Sequence, residues 1–294
     1  MKDWQAVIEQ IEQASGQNFN LLKVNAMHGG DINQVYYLQG TEKNYFVKEN
    51  RADLLEMFAA EALGLQDLAK TETLRIPEPV VYGVSGQNAY LVMEYVELKP
   101  AKQATQRQLG RQLAEMHQIR QDYFGWHQDN YIGSNPQSNS RNSNWVSFWQ
   151  EQRLTAQLKL AFDNGFTGKI QSQGVKLSQL IPEFFSNYQP QASLLHGDLW
   201  SGNAAADTAG QAIIYDPACY YGDREADIAM TELFGGFGAD FYAAYNQAWP
   251  LDSGYKTRKT LYNLYHILNH LNLFGSGYLH QAEAMTQQLI SEYS

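Results

Sequence analysis

A single cysteine, Cys219, stands in 294 residues, so neither an intramolecular disulfide nor a cysteine-built metal cage can form. A lone thiol suits a reducing compartment, and a cytoplasmic protein is expected. No apolar run approaches the roughly 18 residues that a membrane-spanning helix needs. The first fifteen residues alternate polar with apolar (Trp4, Val7, Ile8, Ile11) and build no signal core, so no membrane partner is expected. Basic residues are also scarce. Lys and Arg number 21 against 31 Asp and Glu, a formal net charge of −10, and no Lys/Arg cluster interrupts the pattern. Such a surface repels phosphate backbones and excludes general nucleic-acid binding. One nucleotide remains compatible, because a local lysine, backbone N–H groups and a metal suffice to hold it.

Several catalytic signatures are missing as well. The chain has no Gly-x-Ser-x-Gly elbow, no His-Glu-x-x-His and no Cys-x-x-Cys. His266 and His270 fall on one helix face, but no third ligand accompanies them and packing explains them better.

What is present begins with enough apolar residues, 44%, to build a substantial core. After an opening helix, Val35–Leu38 and Tyr45–Lys48 read as strands joined by a turn at Gly40. A helix follows over Asp53–Lys70 with Asp53 as its N-cap, then two more strands at Val80–Val84 and Ala89–Val96. Beyond Pro100 the pattern turns helical: Ala104–Ile119, Trp145–Asp163, Val175–Tyr188 and most of the chain after Asp223. A Ser/Asn/Gly-rich loop lies at Ile132–Asn144, and brief strands return at Ser193–His196 and Ala212–Tyr215. This is an α+β chain in two lobes: a small β-rich lobe over residues 1–97 and a larger helical lobe over 98–294.

The strongest chemical signal is His196-Gly197-Asp198-Leu199-Trp200-Ser201-Gly202-Asn203. Asp198 and Asn203 stand five apart, the spacing of the Asp and Asn in a kinase catalytic loop. A carboxylate there can accept the proton of an attacking hydroxyl, and an amide oxygen can hold a metal without adding charge. A polar turn after a strand would use the same residue types; the His and the five-residue offset favour chemistry. Asp216 follows the apolar Ile213-Ile214-Tyr215, where a kinase places its main Mg²⁺ ligand, although an ordinary Asp-Pro turn would look alike. Upstream, Lys48 closes a strand and Glu61 interrupts an apolar helix stripe, so Glu61 needs a partner. Lys48 gripping phosphates with Glu61 beside it would meet that need. Gly29 and Gly30 lie in the turn between the first two strands, where backbone N–H groups can approach phosphate oxygens. They open no helix and precede no Gly-Lys-Ser/Thr, so neither a Walker A nor a dinucleotide-binding loop is present.

The wording of these segments resembles the fructosamine/ketosamine-3-kinase family, itself within the protein-kinase-like superfamily. The resemblance rests on Phe46-Val47-Lys48-Glu49-Asn50, Met57-Phe58 through Glu61, Leu195 through Asn203, Asp216-Pro217-Ala218, Tyr220-Tyr221-Gly222, and Arg224-Glu225-Ala226-Asp227 followed by Leu233 through Phe237. It implies a two-lobed, protein-kinase-like fold related to aminoglycoside and choline phosphotransferases. It implies ATP and Mg²⁺ as cofactors and phosphorylation at O3 of ketoamines, free or on glycated protein amines, as in protein deglycation. By matching position, Asp198 would be the base, Asn203 and Asp216 the metal ligands, and Lys48 the phosphate grip. Met93, Glu94, Tyr95 and Val96 would be the hinge meeting adenine. His196 and Asp227 would support the catalytic loop. Trp200 and Tyr220 either wall the sugar site or brace their surroundings. Asp223 departs from the resemblance, since His commonly precedes Arg224 in the family. A kinase of another small alcohol, or a non-catalytic module on the same fold, are the competing readings.

Overall fold

The computed structural model describes residues 4–27 and 32–293. Its first lobe is a five-stranded antiparallel sheet of β1 (Leu21–Met27), β2 (Gln34–Gly40), β3 (Asn44–Arg51), β4 (Pro79–Ser85) and β5 (Asn88–Glu94), ordered β1-β2-β3-β5-β4. Helix α1 (Gln5–Ser15) covers one face and α2 (Leu55–Ala69) the other. Alternation along β3 decides where the chemistry goes. Tyr45 and Val47 face Leu38, Val92 and the α1 residues Val7 and Ile11. Phe46 faces the opposite way with Leu91, Met93 and the α2 residues Met57 and Phe58, and Lys48 shares that parity. A one-residue slip in register would aim Lys48 into the apolar layer beneath α1, so hydrophobic packing fixes the position of the lysine.

The second lobe is built on α9 (Tyr255–Phe274), which buries twelve of its twenty residues. The other helices are α3 (Gln103–His117), α4 (Trp145–Trp149), α5 (Ala156–Asp163), α6 (Lys169–Leu180), α7 (Glu225–Leu233), α8 (Ala239–Ala248) and α10 (Leu279–Ser291). Short antiparallel pairs carry the loops between them: β6 (Asn130–Ile132) with β7 (Asn135–Gln137), β8 (Ser193–Leu195) with β11 (Tyr220–Gly222), and β9 (Ala204–Ala206) with β10 (Ala212–Ile214).

The structure corrects four expectations from the sequence. Asp53 caps nothing: Ala52–Leu54 forms a 3₁₀ turn, α2 starts at Leu55, and the Asp53 carboxylate accepts from Arg51 Nε and Nη2 at 3.0 and 2.9 Å. The helix expected over Val175–Tyr188 begins earlier, at Lys169, and tightens into a 3₁₀ segment over Ile181–Phe185 beside Pro182, which has no N–H to give. Trp145–Asp163 is helical throughout, but its middle, Gln150–Thr155, widens into a π-helix. The polar stretch Ile132–Asn144 is partly hairpin, and Asn135, Gln137 and Asn139 within it are buried, as is Asn130 just before it. Gln137 and Asn139 donate to the Asn130 Oδ1, the Arg153 guanidinium donates to the Asn139 Oδ1, and Asn135 donates to the Asn269 Oδ1, so these side chains find their partners internally.

The lobes are stitched together along α2. The helix packs on β6, its Gly64 lies against the Cys219 thiol, and its Asp67 accepts from Trp126 Nε1 at 3.1 Å. The carbonyl of Arg75 accepts the N–H of Ile214 on β10 at 3.2 Å. No helix among the described residues is long and apolar enough to cross a membrane.

Helix α3 lies tightly on α8 because position 110 has no side chain; a Cβ there would collide with the Phe241 carbonyl oxygen, a backbone atom that cannot swing aside. Gly110→Ala is therefore expected to lower folding stability by about 1–3 kcal/mol, read as a lower denaturant midpoint with unchanged slope.

Candidate active site

Strand β8 ends at Leu195 and delivers His196-Gly197-Asp198 into the space between the lobes. Gly197 adopts φ +82°, and a Cβ there would strike the Ala218 carbonyl, so only glycine fits this turn. The turn is held from below by Asp227, in the first turn of α7. Its two carboxylate oxygens accept the backbone N–H groups of His196 and Gly197 at 2.7 and 2.8 Å. Burial alone would raise the Asp227 carboxyl, but the hydrogen bonds it accepts, from His117 first and from the Gly197 backbone, outweigh it and hold the group below the usual carboxylate range.

His117 is itself wholly buried at the end of α3, and desolvation lowers its pKa despite the nearby carboxylate. The neutral ring places its proton on Nε2, 3.2 Å from Asp227, and accepts the Tyr245 hydroxyl at Nδ1, 2.8 Å away. Arg224 donates to that same hydroxyl at 3.1 Å. His196 is likewise buried, with its pKa lowered by desolvation. Its Nδ1 accepts from the Asp198 N–H at 3.2 Å, so its Nε2–H donates to the Tyr215 carbonyl at 2.9 Å. One imidazole thus ties the catalytic loop to the residue before Asp216. Neither His117 nor Tyr245 was singled out in the sequence. A readable signal existed, a lone histidine on the buried stripe of Leu109, Leu113 and Met116.

Asp198, Asn203, Asp216, Lys48 and Glu61 all line one cavity of about 520 Å³. Asp216 takes up φ +57°, a left-handed conformation that aims its carboxylate back at the sheet. The Lys48 ammonium lies 2.6 Å from Glu61 and 2.5 Å from Asp216. Burial would lower the lysine pKa; the two carboxylates reverse this and keep it charged. Glu61 shifts upward, mainly through burial. Asn203 commits its amide nitrogen to the Asp198 carbonyl at 2.9 Å and the Asp198 carboxylate at 3.3 Å, which leaves its Oδ1 as an available ligand atom. Asp198 is pushed up to about 7, first by burial and then by the charges of Asp216 and Asp227.

Other expected site residues fall around this cluster. Gly29 and Gly30 lie outside the described residues; beside them, Ile32 and Asn33 line the cavity and are fixed by the Asn50 side chain at 2.9 Å. Met93–Val96 are not part of the lining. Lys48 pairs with Leu91 across the ladder, so Glu94 sits three residues further along, about 10 Å from the lysine's strand position. There Glu94 accepts from Arg75 at 3.0 Å and Tyr95 packs on Tyr37. Trp200 reaches the cavity, where its ring covers Gly202 and meets Phe234 edge-on. Tyr220 does not reach it. Its ring is buried between Phe148 and the Arg153 guanidinium, so it is a core residue and not a sugar contact. Asp223 is buried too, accepting from Tyr188 at 3.0 Å and Tyr262 at 2.5 Å, and does not face the cavity.

The fructosamine kinase family model matches residues 3–292. A protein of Synechocystis sp. named a probable ketoamine kinase is 46% identical over 288 residues, covering 98% of this chain and 97% of its own. The chloroplastic protein-ribulosamine 3-kinase of Arabidopsis thaliana is 43% identical over 281 residues, covering 95% of this chain and 84% of its own. Among solved structures, one from Haemophilus somnus, provisionally assigned as a fructosamine-3-kinase, superposes with TM-score 0.90 at 29% identity over 97% of both chains. The choline kinase LicA of Streptococcus pneumoniae superposes with TM-score 0.64 at 14% identity, over 98% of this chain and 99% of its own, and shares the protein-kinase-like fold. With the model spanning nearly its whole length and the kinase constellation assembled in one cleft, this chain belongs to the fructosamine kinase family.

Proposed function

We propose that the protein transfers the γ-phosphoryl group of ATP to the 3-hydroxyl of a ketoamine, a sugar joined to an amine, in the cytoplasm. The observation that carries this is Asp198: a half-buried carboxylate, raised to about 7, in the same cavity as a lysine held between two acids. The relatives named for ketoamine and ribulosamine phosphorylation supply the acceptor class. We divide the labour at residue 97, with the sheet lobe gripping nucleotide and the helical lobe presenting the base and the acceptor.

Asp198 orients the acceptor hydroxyl and takes its proton as the phosphoryl group moves. Lys48 binds the α- and β-phosphates, and Glu61 keeps its ammonium aimed into the cleft. The Glu94–Val96 backbone meets adenine. The donor set fits Mg²⁺ on two counts. Three carboxylates (Glu61, Asp198, Asp216) face one ammonium, so a divalent cation balances the excess charge. Among the described residues no cluster of three or more His, Cys, Asp or Glu could hold a metal unaided, which matches an ion bound by Asp216, the Asn203 oxygen and nucleotide phosphates together. When bound, the ion supplies charge neutralisation at the transferred group.

ADP release should appear with ketoamines and be absent or slow with choline and aminoglycosides, and the product phosphate should map to the sugar 3-oxygen. A faster turnover of choline or an aminoglycoside would replace the acceptor assignment. Asp198→Asn should cut turnover by about 10²–10⁴-fold while ATP affinity, measured by calorimetry, stays within a few-fold; near-normal turnover would remove Asp198 as the base. Because that base must be ionised, kcat/KM should fall as pH drops below about 7. Raising Mg²⁺ should move this limb to lower pH by offsetting the Asp216 charge.

The same shift bears on stability. The folded value, about 7, exceeds the ordinary 3.8, so ionised Asp198 destabilises the fold. That cost builds as pH rises from about 4 to 7 and is complete above it. Asp198→Asn should thus melt at higher temperature than the parent at pH 8 without Mg²⁺, with the gap closing as pH falls towards 4.

A further inference from the structure

From the catalytic loop to the cleft mouth runs a continuous file of rings. Trp200 meets Phe234 at 6.3 Å between centroids, Phe234 meets His270 at 4.9 Å, and His270 meets Phe274 and Tyr278 at 5.4 and 5.1 Å. The five come from four separate segments: the loop before Asn203, the residue after α7, the last two turns of α9 and the turn ahead of α10. All five line the cavity. Three of them stay notably exposed for large apolar side chains: Trp200 at 38%, Phe234 at 41% and Phe274 at 46%. Exposed rings gathered at one mouth mark a surface that a ligand covers. The His270 ring is held in place by its Nδ1–H, which donates to the His266 carbonyl at 2.8 Å.

Charge identifies the occupant. Among the described residues the only Lys or Arg lining the cavity is Lys48, committed to Glu61 and Asp216. Among the described residues no Lys or Arg belongs to the ring file, while ring faces attract a cation and the carboxylates at its inner end add to the pull. Resting on the ketoamine reading above, we infer that this wall is the subsite for the amine arm of the acceptor, a protonated secondary amine carried on an aliphatic chain such as a glycated lysine side chain. In a ketoamine the nitrogen is four bonds from the 3-oxygen. With that oxygen at Asp198, the ammonium falls over Trp200 and Phe234, and the methylenes beyond it run past His270 to Phe274 and Tyr278. The wall thereby selects adducts on long arms over adducts on short ones.

The test compares the same ketose on the ε-amine of a blocked lysine peptide and on methylamine, using the parent protein, Phe274→Ala, Phe274→Leu and Phe234→Ala. Phe274→Ala should raise KM for the lysine-peptide adduct roughly fivefold, with kcat and both constants for the methylamine adduct within about twofold. Phe274→Leu, which keeps apolar bulk at a half-exposed position, should restore KM to within about twofold of the parent. Phe234→Ala should raise KM for both adducts. Equal effects of Phe274→Ala on the two adducts, or none on either, would overturn the subsite while leaving the ketoamine reading intact. A parent protein that phosphorylates neither adduct would overturn both.

Discussion

Everything in the cleft answers to an imbalance of charge. Among the described residues, Glu61, Asp198 and Asp216 share a cavity with a single ammonium, that of Lys48. Water alone would screen such a group cheaply, but the sheet lobe and α2 bury Lys48 to 5% exposure and leave Glu61 almost as dry. Carboxylates so placed are held at an energetic disadvantage that positive charge relieves. The pocket's acidity, unpromising for a phosphate site at first sight, is what the proposed metal–nucleotide pair would relieve.

Positioning of Asp198, the proposed base, depends on uncharged histidines. His117 and His196 are buried, neutral, and confined to one tautomer each by what they touch. Asp227 converts them into a clamp by taking two backbone N–H groups of the loop while remaining ionised. Such a clamp adds no net charge near Asp198 beyond the one that helps to raise its pKa, so rigidity and basicity come from the same residue. A charged imidazole in either position would pull the base back down and weaken it.

Local chemistry made much of this legible in the chain. Lys48 and Glu61 were readable because a glutamate embedded among Phe58, Ala59 and Ala62 must have a partner, and the strand before it carries a lysine, although that strand runs on to Arg51 and does not close at Lys48 as expected. The Asp198–Asn203 spacing was readable because it is set within one turn. Less visible was anything that depends on burial of polar groups. Asn130, Asn135, Gln137 and Asn139 look like a solvated loop by composition, yet they form a satisfied internal network that no hydrophobic period announces. Tyr220 adjoins site residues in sequence, but strand parity in β11 turns it into the core beside Arg153. Asp53 had the residue type of a cap and lost the role to a nearer arginine.

The attachment of α2 carries a last consequence. This helix is fastened to the second lobe through Gly64, Asp67 and β6, and those contacts favour the position in which Glu61 meets Lys48. Kinases that withdraw the equivalent helix gain an off position; here the ion pair is locked in from both sides. A site held in this way stands assembled before either substrate arrives.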